Sequence, residues 1–250
     1  VYGVASEPGA KESMGGFVSN PMDKPEASKV SLFGLADYSW NINGFKSDEA
    51  WKEGVRRLFP KAAEAMQVFV NHNSDQGPNG HGYRREESVE IEPVVNRVLE
   101  AAREGRIEKA DAALLKKEFA RMVSAAPVIR AKADNPRLMK EIGAWVDAFE
   151  QLGRAGQHAV AALEENNAGE AATHLVQATQ ALAAMDGISR RHNQEGQLYR
   201  SAVKTGSRVM APAVNELADI VSKKVFPAIA GAPALSPKPL VKGGSMDKAE

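Results

Sequence analysis

The run IGAWVDAFEQLGRAGQHAVAAL, Ile142 to Leu163, decides how this chain folds. Its apolar residues Ile142, Trp145, Val146, Phe149, Leu152, Ala159 and Leu163 recur at helical spacing. That period gathers them on one face of an α-helix and turns the polar residues to the other. Trp145 and Phe149 sit within the stripe, so their reading is core packing rather than a ligand-binding aromatic patch.

The same period extends in both directions. Val94, Val95, Val98, Leu99 and Ala102 form one stripe, and Ile107, Leu114, Leu115, Phe119, Met122 and Val123 another. Leu175, Val176, Leu182 and Met185 follow, then Val209, Val214, Leu217, Val221 and Val225. Breaks fall at Arg103-Glu104-Gly105, at Asn135-Pro136, between Asn166 and Gly169, and around Gly187. Long amphipathic helices with short connections predict an antiparallel bundle. The fold class is therefore mainly α, with one exception at the N-terminal end.

That exception is Gly16-Phe17-Val18-Ser19-Asn20, a short β-prone run stopped by Pro21. It reads as one strand, and a lone strand needs neighbours for its backbone groups. Pro25 and Glu26 then open a helix, and Ala27 to Tyr38 is apolar on much of its circumference through Val30, Leu32, Phe33, Leu35 and Ala36. A helix of that kind packs against something large. Asn41-Ile42-Asn43-Gly44 breaks it, Asp48 is expected to cap a helix through Trp51, Val55 and Leu58, and Pro60 to open the next. Residues 71–85 form a polar Gly/Asn loop, the longest irregular segment inside the chain and thus a candidate for function. Residues 231–250 turn to Ala, Pro, Gly and Lys and read as a flexible tail or linker.

Composition excludes several chemistries. Lys plus Arg and Asp plus Glu both total 32, so no net charge draws the chain to nucleic acid or an anionic membrane. The absence of cysteine removes disulfides, thiol catalysis and Cys-based zinc sites. No apolar run of about 18 residues offers a membrane span. There is no Walker loop, GxGxxG, Gly-x-Ser-x-Gly or Asp-Asp dipeptide. Of the five histidines, His158 and His174 stand at no recognised ligand spacing and read as surface or satisfied core residues. His72 and His81 share the polar loop, where a structural role is expected. Glu86 and Glu87 precede a helix and would complement its macrodipole. Arg56-Arg57, Arg84-Arg85 and Arg190-Arg191 read as solvated faces. Asn20 differs from all of these. It is a polar group at a strand's C-terminal end, where (β/α)8 barrels build their sites, and its amide can both donate to and accept from sugar hydroxyls. A turn-forming Asn before Pro is the plainer reading of the same residue.

Three blocks carry a resemblance. Gly16-Phe17-Val18-Ser19-Asn20-Pro21-Met22, with Glu26-Ala27-Ser28-Lys29 and Ala36-Asp37-Tyr38-Ser39-Trp40-Asn41, resembles the end of the catalytic barrel in glycoside hydrolase family 84. The loop His72-Asn73-Ser74-Asp75 and Gly77 to Ser88 is similar to its bacterial members, and Tyr199 to Pro212 resembles a late part of their helical domain. The resemblance implies a retaining β-N-acetylglucosaminidase of the O-GlcNAcase/hyaluronidase type. Such enzymes remove terminal β-linked N-acetylglucosamine from glycans and glycoproteins by substrate-assisted catalysis, without a metal or organic cofactor. It places the catalytic Asp pair on a barrel strand upstream of this chain, so no catalytic residue is expected here and the chain alone should be inactive. It carries one substrate-binding residue over, Asn20, on a sugar hydroxyl, with Tyr38 and Trp40 shaping the floor nearby. The organisation expected is a barrel remnant over 1–45, a helical stalk-like domain over 46–230, and a tail over 231–250. Animal relatives dimerise through their helical stalk, so a homodimer is a further expected partner, and a non-catalytic dimerisation or peptide-binding module is the alternative function. Family habit places the protein outside the bacterial cytoplasm, in the periplasm or beyond.

Overall fold

The computed structural model of the 250-residue chain describes residues 24–74, 86–194 and 202–231. Among these, every regular element is an α-helix: α1 Pro25–Trp40, α2 Ser47–Leu58, α3 Ala63–Asn71, α4 Glu92–Arg103, α5 Lys109–Lys132, α6 Pro136–Glu164, α7 Ala168–Gln194 and α8 Met210–Ala230. The expected strand Gly16–Asn20 and most of the polar loop, including His81, lie outside the described residues, as does the tail after Gly231.

The opening run is the heart of α6, the central helix. It packs on α5 before it, on α7 and α8 after it, and on α1. Two ion pairs give the direction of the first packing. Arg130 meets Asp147 at one end, and Lys116 meets Glu164 at the other, so α5 and α6 run antiparallel. The turn between them is set by Asn135, whose side chain accepts from the Leu138 amide at 3.0 Å, with Pro136 at the first helical position. Both features satisfy or remove amides that a helix start leaves unpaired.

The core is continuous from α1 to α8. Leu115, Phe119, Met122 and Ile129 of α5 face Trp145, Val146, Phe149 and Leu152 of α6, all buried. Phe119 is seated by two glycines. A Cβ at Gly156 would overlap its ring, and one at Gly153 would come within 3.0 Å of its carbonyl oxygen. Phe69 of α3 meets Phe149 edge-on at 5.3 Å between ring centroids.

Local boundaries differ from expectation in three places. Helix α7 runs unbroken through Gly187. A glycine inside a helix costs only about 1 kcal/mol, and Leu182, Met185 and Ile188 around it pack on the core. Asp48 is not a cap: α2 starts at Ser47 after Lys46, and Asp48 and Glu49 occupy its first turn, where they complement the helix dipole. Pro60 lies in a turn, and α3 starts at Ala63.

Candidate functional site

The N-terminal block is represented by α1, which is held by its first turn. The Glu141 carboxylate of α6 accepts from the Glu26 amide at 3.2 Å and the Ala27 amide at 2.9 Å. Asn135 donates to Glu26 at 2.8 Å from the preceding turn. The amides that α1 would otherwise leave open are thus satisfied by the bundle rather than by a local cap. Lys24 lies over the Trp145 ring, 5.0 Å from its centroid. At the other end of α1, Tyr38 meets Phe45 edge-on at 5.4 Å, whereas Trp40 is 92% exposed and enters no site among the described residues. Asn20, the predicted sugar contact, lies outside the described residues.

The loop blocks converge on one buried polar seam. His72 caps the C-terminus of α3 and is only 2% exposed. Its Nε2 lies 3.0 Å from Glu118 on α5, and its Nδ1 lies 2.8 Å from the Ser88 hydroxyl. An ionised carboxylate can only accept, so Nε2 carries a proton, and Nδ1 accepts from Ser88 when the ring is neutral or donates to the Ser88 hydroxyl when it is charged. Burial pushes the Glu118 carboxyl up, but the His72 hydrogen bond and charge, with Arg121 at 2.6 Å, outweigh it and hold the group below the usual carboxylate range. Ser88 has φ +61°, a left-handed conformation unfavourable for a residue with a Cβ. Its amide donates to the Asn71 carbonyl at 2.8 Å, and the Asn71 side chain accepts from Trp51 and Gln67.

The third block closes the seam. The Gly206 amide donates to the His72 carbonyl at 3.0 Å. Glu87, 1% exposed, accepts from the Arg208 and Val209 amides, each at 2.9 Å, and Arg208 reaches Glu86 at 3.1 Å. This overturns the macrodipole reading of Glu87. The carboxylate turns inward and caps the entry to α8, more than a hundred residues away in sequence. His72 keeps the structural role expected of it, although as a helix cap and not as a loop residue.

Chemically, the arrangement Ser88–His72–Glu118 has the polarity of a nucleophile, base and orienting acid. It lacks access. The Ser88 hydroxyl is buried, with its residue 1% exposed, and the His72 ring lies 5.9 Å from that of Phe149. The seam therefore fastens α3, α5 and the approach to α8 together, with no room for a reacting group. Elsewhere α1 and α2 bound an open cleft of about 590 Å³ lined by Phe33, Asp37, Lys46 and Glu53 among others. Several of its charges pair with one another: Lys46 meets Glu49, and Arg56 and Arg57 both bond Glu53 and pull its carboxyl down to about 2. No group of three or more His, Asp or Glu residues that could hold a metal occurs among the described residues. One pairing escaped the sequence reading: His158 and His174 meet across α6 and α7.

Comparison with known proteins gives the family. Residues 87–218 match the family described as bacterial GH84, post-catalytic domain, and residues 3–71 match that of β-N-acetylglucosaminidase. The first match alone covers more than half of the chain, which belongs to glycoside hydrolase family 84. Among solved structures, CpGH84D is 29% identical with a TM-score of 0.72, over 82% of this chain and 34% of its own. CpGH84B is 22% identical with a TM-score of 0.70, over 82% and 34%. A mutant of the Thermobaculum terrenum O-GlcNAc hydrolase is 20% identical with a TM-score of 0.57, over 85% and 42%. The last two share the fold. The chain thus spans about a third of the length of the first two relatives. The buried seam lies at the boundary between the two matched segments, since His72 follows the first and Glu87 begins the second.

Proposed function

We propose that this chain is the C-terminal segment of a retaining β-N-acetylglucosaminidase that removes terminal β-linked N-acetylglucosamine, of the O-GlcNAc type, from glycans or glycoproteins. The reaction is substrate-assisted: the sugar's acetamido oxygen attacks the anomeric carbon, and a paired Asp on a barrel strand preceding this chain assists and protonates. Asn20 hydrogen-bonds a sugar hydroxyl. The helical bundle braces the last strand and helix of the barrel. The observation that carries the reading is the match of residues 3–71 to the β-N-acetylglucosaminidase family in the same chain as the post-catalytic domain. Its physical support is the Glu141 clamp, which ties the bundle to the first turn of α1, seven residues beyond Asn20.

The test uses an aryl N-acetylglucosaminide. The 250-residue chain alone should release no phenol, and the same chain joined to a family barrel sequence should. In that longer protein Asn20→Ala should raise KM and lower kcat/KM by about 1–3 kcal/mol, the loss of a hydrogen bond left partly unpaired. Turnover by the chain alone, or an Asn20→Ala variant with unchanged kinetics, would sink the corresponding part of the proposal. A second role as a dimerisation surface is favoured by Phe226 and Ile229, which stand exposed near the end of α8. Light scattering on the chain would show it as a dimer that Phe226→Glu dissociates. Location outside the cytoplasm belongs to the same proposal and rests on family habit alone.

A further inference from the structure

The pair formed by His158 and His174 belongs to neither the seam nor the α1 clamp. The two residues lie on opposite sides of the turn at Glu165–Asn167, His158 in the last turns of α6 and His174 in the early turns of α7. Small residues bring these helices close: Ala155, Ala159 and Ala162 on α6, with Ala171 and Ala178 on α7, are all buried. The two Nδ1 atoms stand 3.3 Å apart, with the rings stacked at 27° and 5.5 Å between centroids. Both residues are half-buried, so solvent reaches the pair.

Two neutral imidazoles meeting nitrogen to nitrogen can share one proton, but 3.3 Å is long for that bond, whose usual range is about 2.7–3.2 Å. It is instead the bite of a metal. Two imidazole nitrogens bound tetrahedrally to one zinc ion, each about 2.0–2.1 Å from it, stand about 3.3–3.4 Å apart. The helix register therefore already supplies the separation that chelation requires. The ordering cost of bringing the two ligands together was met when the helices packed. Neighbouring charge does not occupy the site. Arg154, one turn before His158, is bonded to Glu150 at 2.6 Å.

We infer that His158 and His174 form a two-histidine clip for a divalent, borderline-soft transition cation such as zinc, which binds across α6 and α7 and exchanges with solvent. Water completes the coordination, as no third protein ligand stands with the pair among the described residues. Each ring binds as its Nε2–H tautomer, so that two neutral Nδ1 atoms become the ligands and any proton on Nδ1 passes to Nε2 or to solvent. The ion adds a cross-link two turns from the α6–α7 connection, between the two longest helices of the bundle.

The probe is ZnCl₂ alone, titrated by calorimetry into the tag-free 250-residue chain. The expected result is saturable binding of a single ion per chain, lost in both His158→Gln and His174→Gln, with the zinc-free far-UV spectrum and melting point of each variant near those of the parent. Absence of saturable binding up to about 1 mM zinc, the weak limit of specific affinity, overturns the proposal, as does binding that survives both substitutions. If either variant fails to fold, the histidine ring signals of the parent decide. Substoichiometric Ni²⁺ should broaden those of His158 and His174 first. Broadening led by other histidines, or by none, overturns the site.

Discussion

Single side chains make several of the polar connections that span the longest sequence distances in this domain. Glu87 is the clearest case. It satisfies two amides at the entry to α8 from a position near the start of the helical domain. Removing it leaves those amides buried without partners, at a cost of about 1–3 kcal/mol. Glu87→Ala should lower the unfolding free energy by that amount in urea, and Glu87→Gln, which keeps an acceptor oxygen, by less. Equal losses would show that the carboxylate acts only by charge. The titrating groups make a second prediction. Burial, then the charges of His174 and Arg154, lower the His158 imidazole below its ordinary value. The folded state therefore prefers the neutral ring. That stability is complete above the unfolded value of about 6.5 and falls as the pH drops through it. Glu118 acts lower on the scale. Its carboxyl is depressed, so its contribution is present above the ordinary carboxylate range and is lost as the pH falls through the folded value. Urea midpoints between pH 7.5 and 5 should decline in the parent and decline less in His158→Gln. A flat parent profile would contradict the assignment.

At the level of the helices, close packing of α5 on α6 depends on what α6 lacks. Gly156 and Gly153 leave the space that the Phe119 ring and backbone occupy. Gly156→Ala improves intrinsic helix propensity by about 1 kcal/mol, yet it forces the Phe119 ring from its seat, and overpacking of a tight core costs about 1–3 kcal/mol. The second effect exceeds the first because Phe119 is fully buried and a Cβ at Gly156 would stand only 2.2–2.4 Å from three of its ring atoms. The variant should melt at lower temperature than the parent, and Gly156→Ala combined with Phe119→Leu should recover part of the loss. A more stable single variant would mean that the ring has somewhere to move. By contrast, Gly187 has only the end of the Arg191 side chain nearby at 3.4 Å, so Gly187→Ala should be neutral or stabilising.

For the molecule as a whole, the question is how its two family-matched segments are held together. The Glu141 clamp fixes the first turn of α1 to α6, and the seam fixes α3 to α5 and to the approach to α8. The matched segments of the chain are thus joined at two separate places. Glu141→Ala should free the α1 start without unfolding the bundle. Hydrogen exchange at the Ala27 and Ser28 amides should accelerate while α6 and α7 remain protected. Equal acceleration throughout would mean that the clamp supports the bundle rather than α1.

The helices themselves were legible because amphipathic period and capping are local properties. The stripe from Ile142 to Leu163 and the Asn135-Pro136 start can be read without knowing what they touch. The family was legible for a related reason, since its motifs are contiguous strings. What the string could not show is partnership across the fold. Glu87 looks like a first-turn acid until α8 is brought to it, and His158 and His174 look unrelated until two antiparallel helices set them face to face. Gly187 looks like a stop until core contacts on both sides carry the helix through it. Periodicity and capping cost or gain their energy within a few residues, so sequence alone determined the helices. The seam, the clamp and the histidine pair draw theirs from groups tens to more than a hundred positions apart, and only the tertiary structure decided which of them meet.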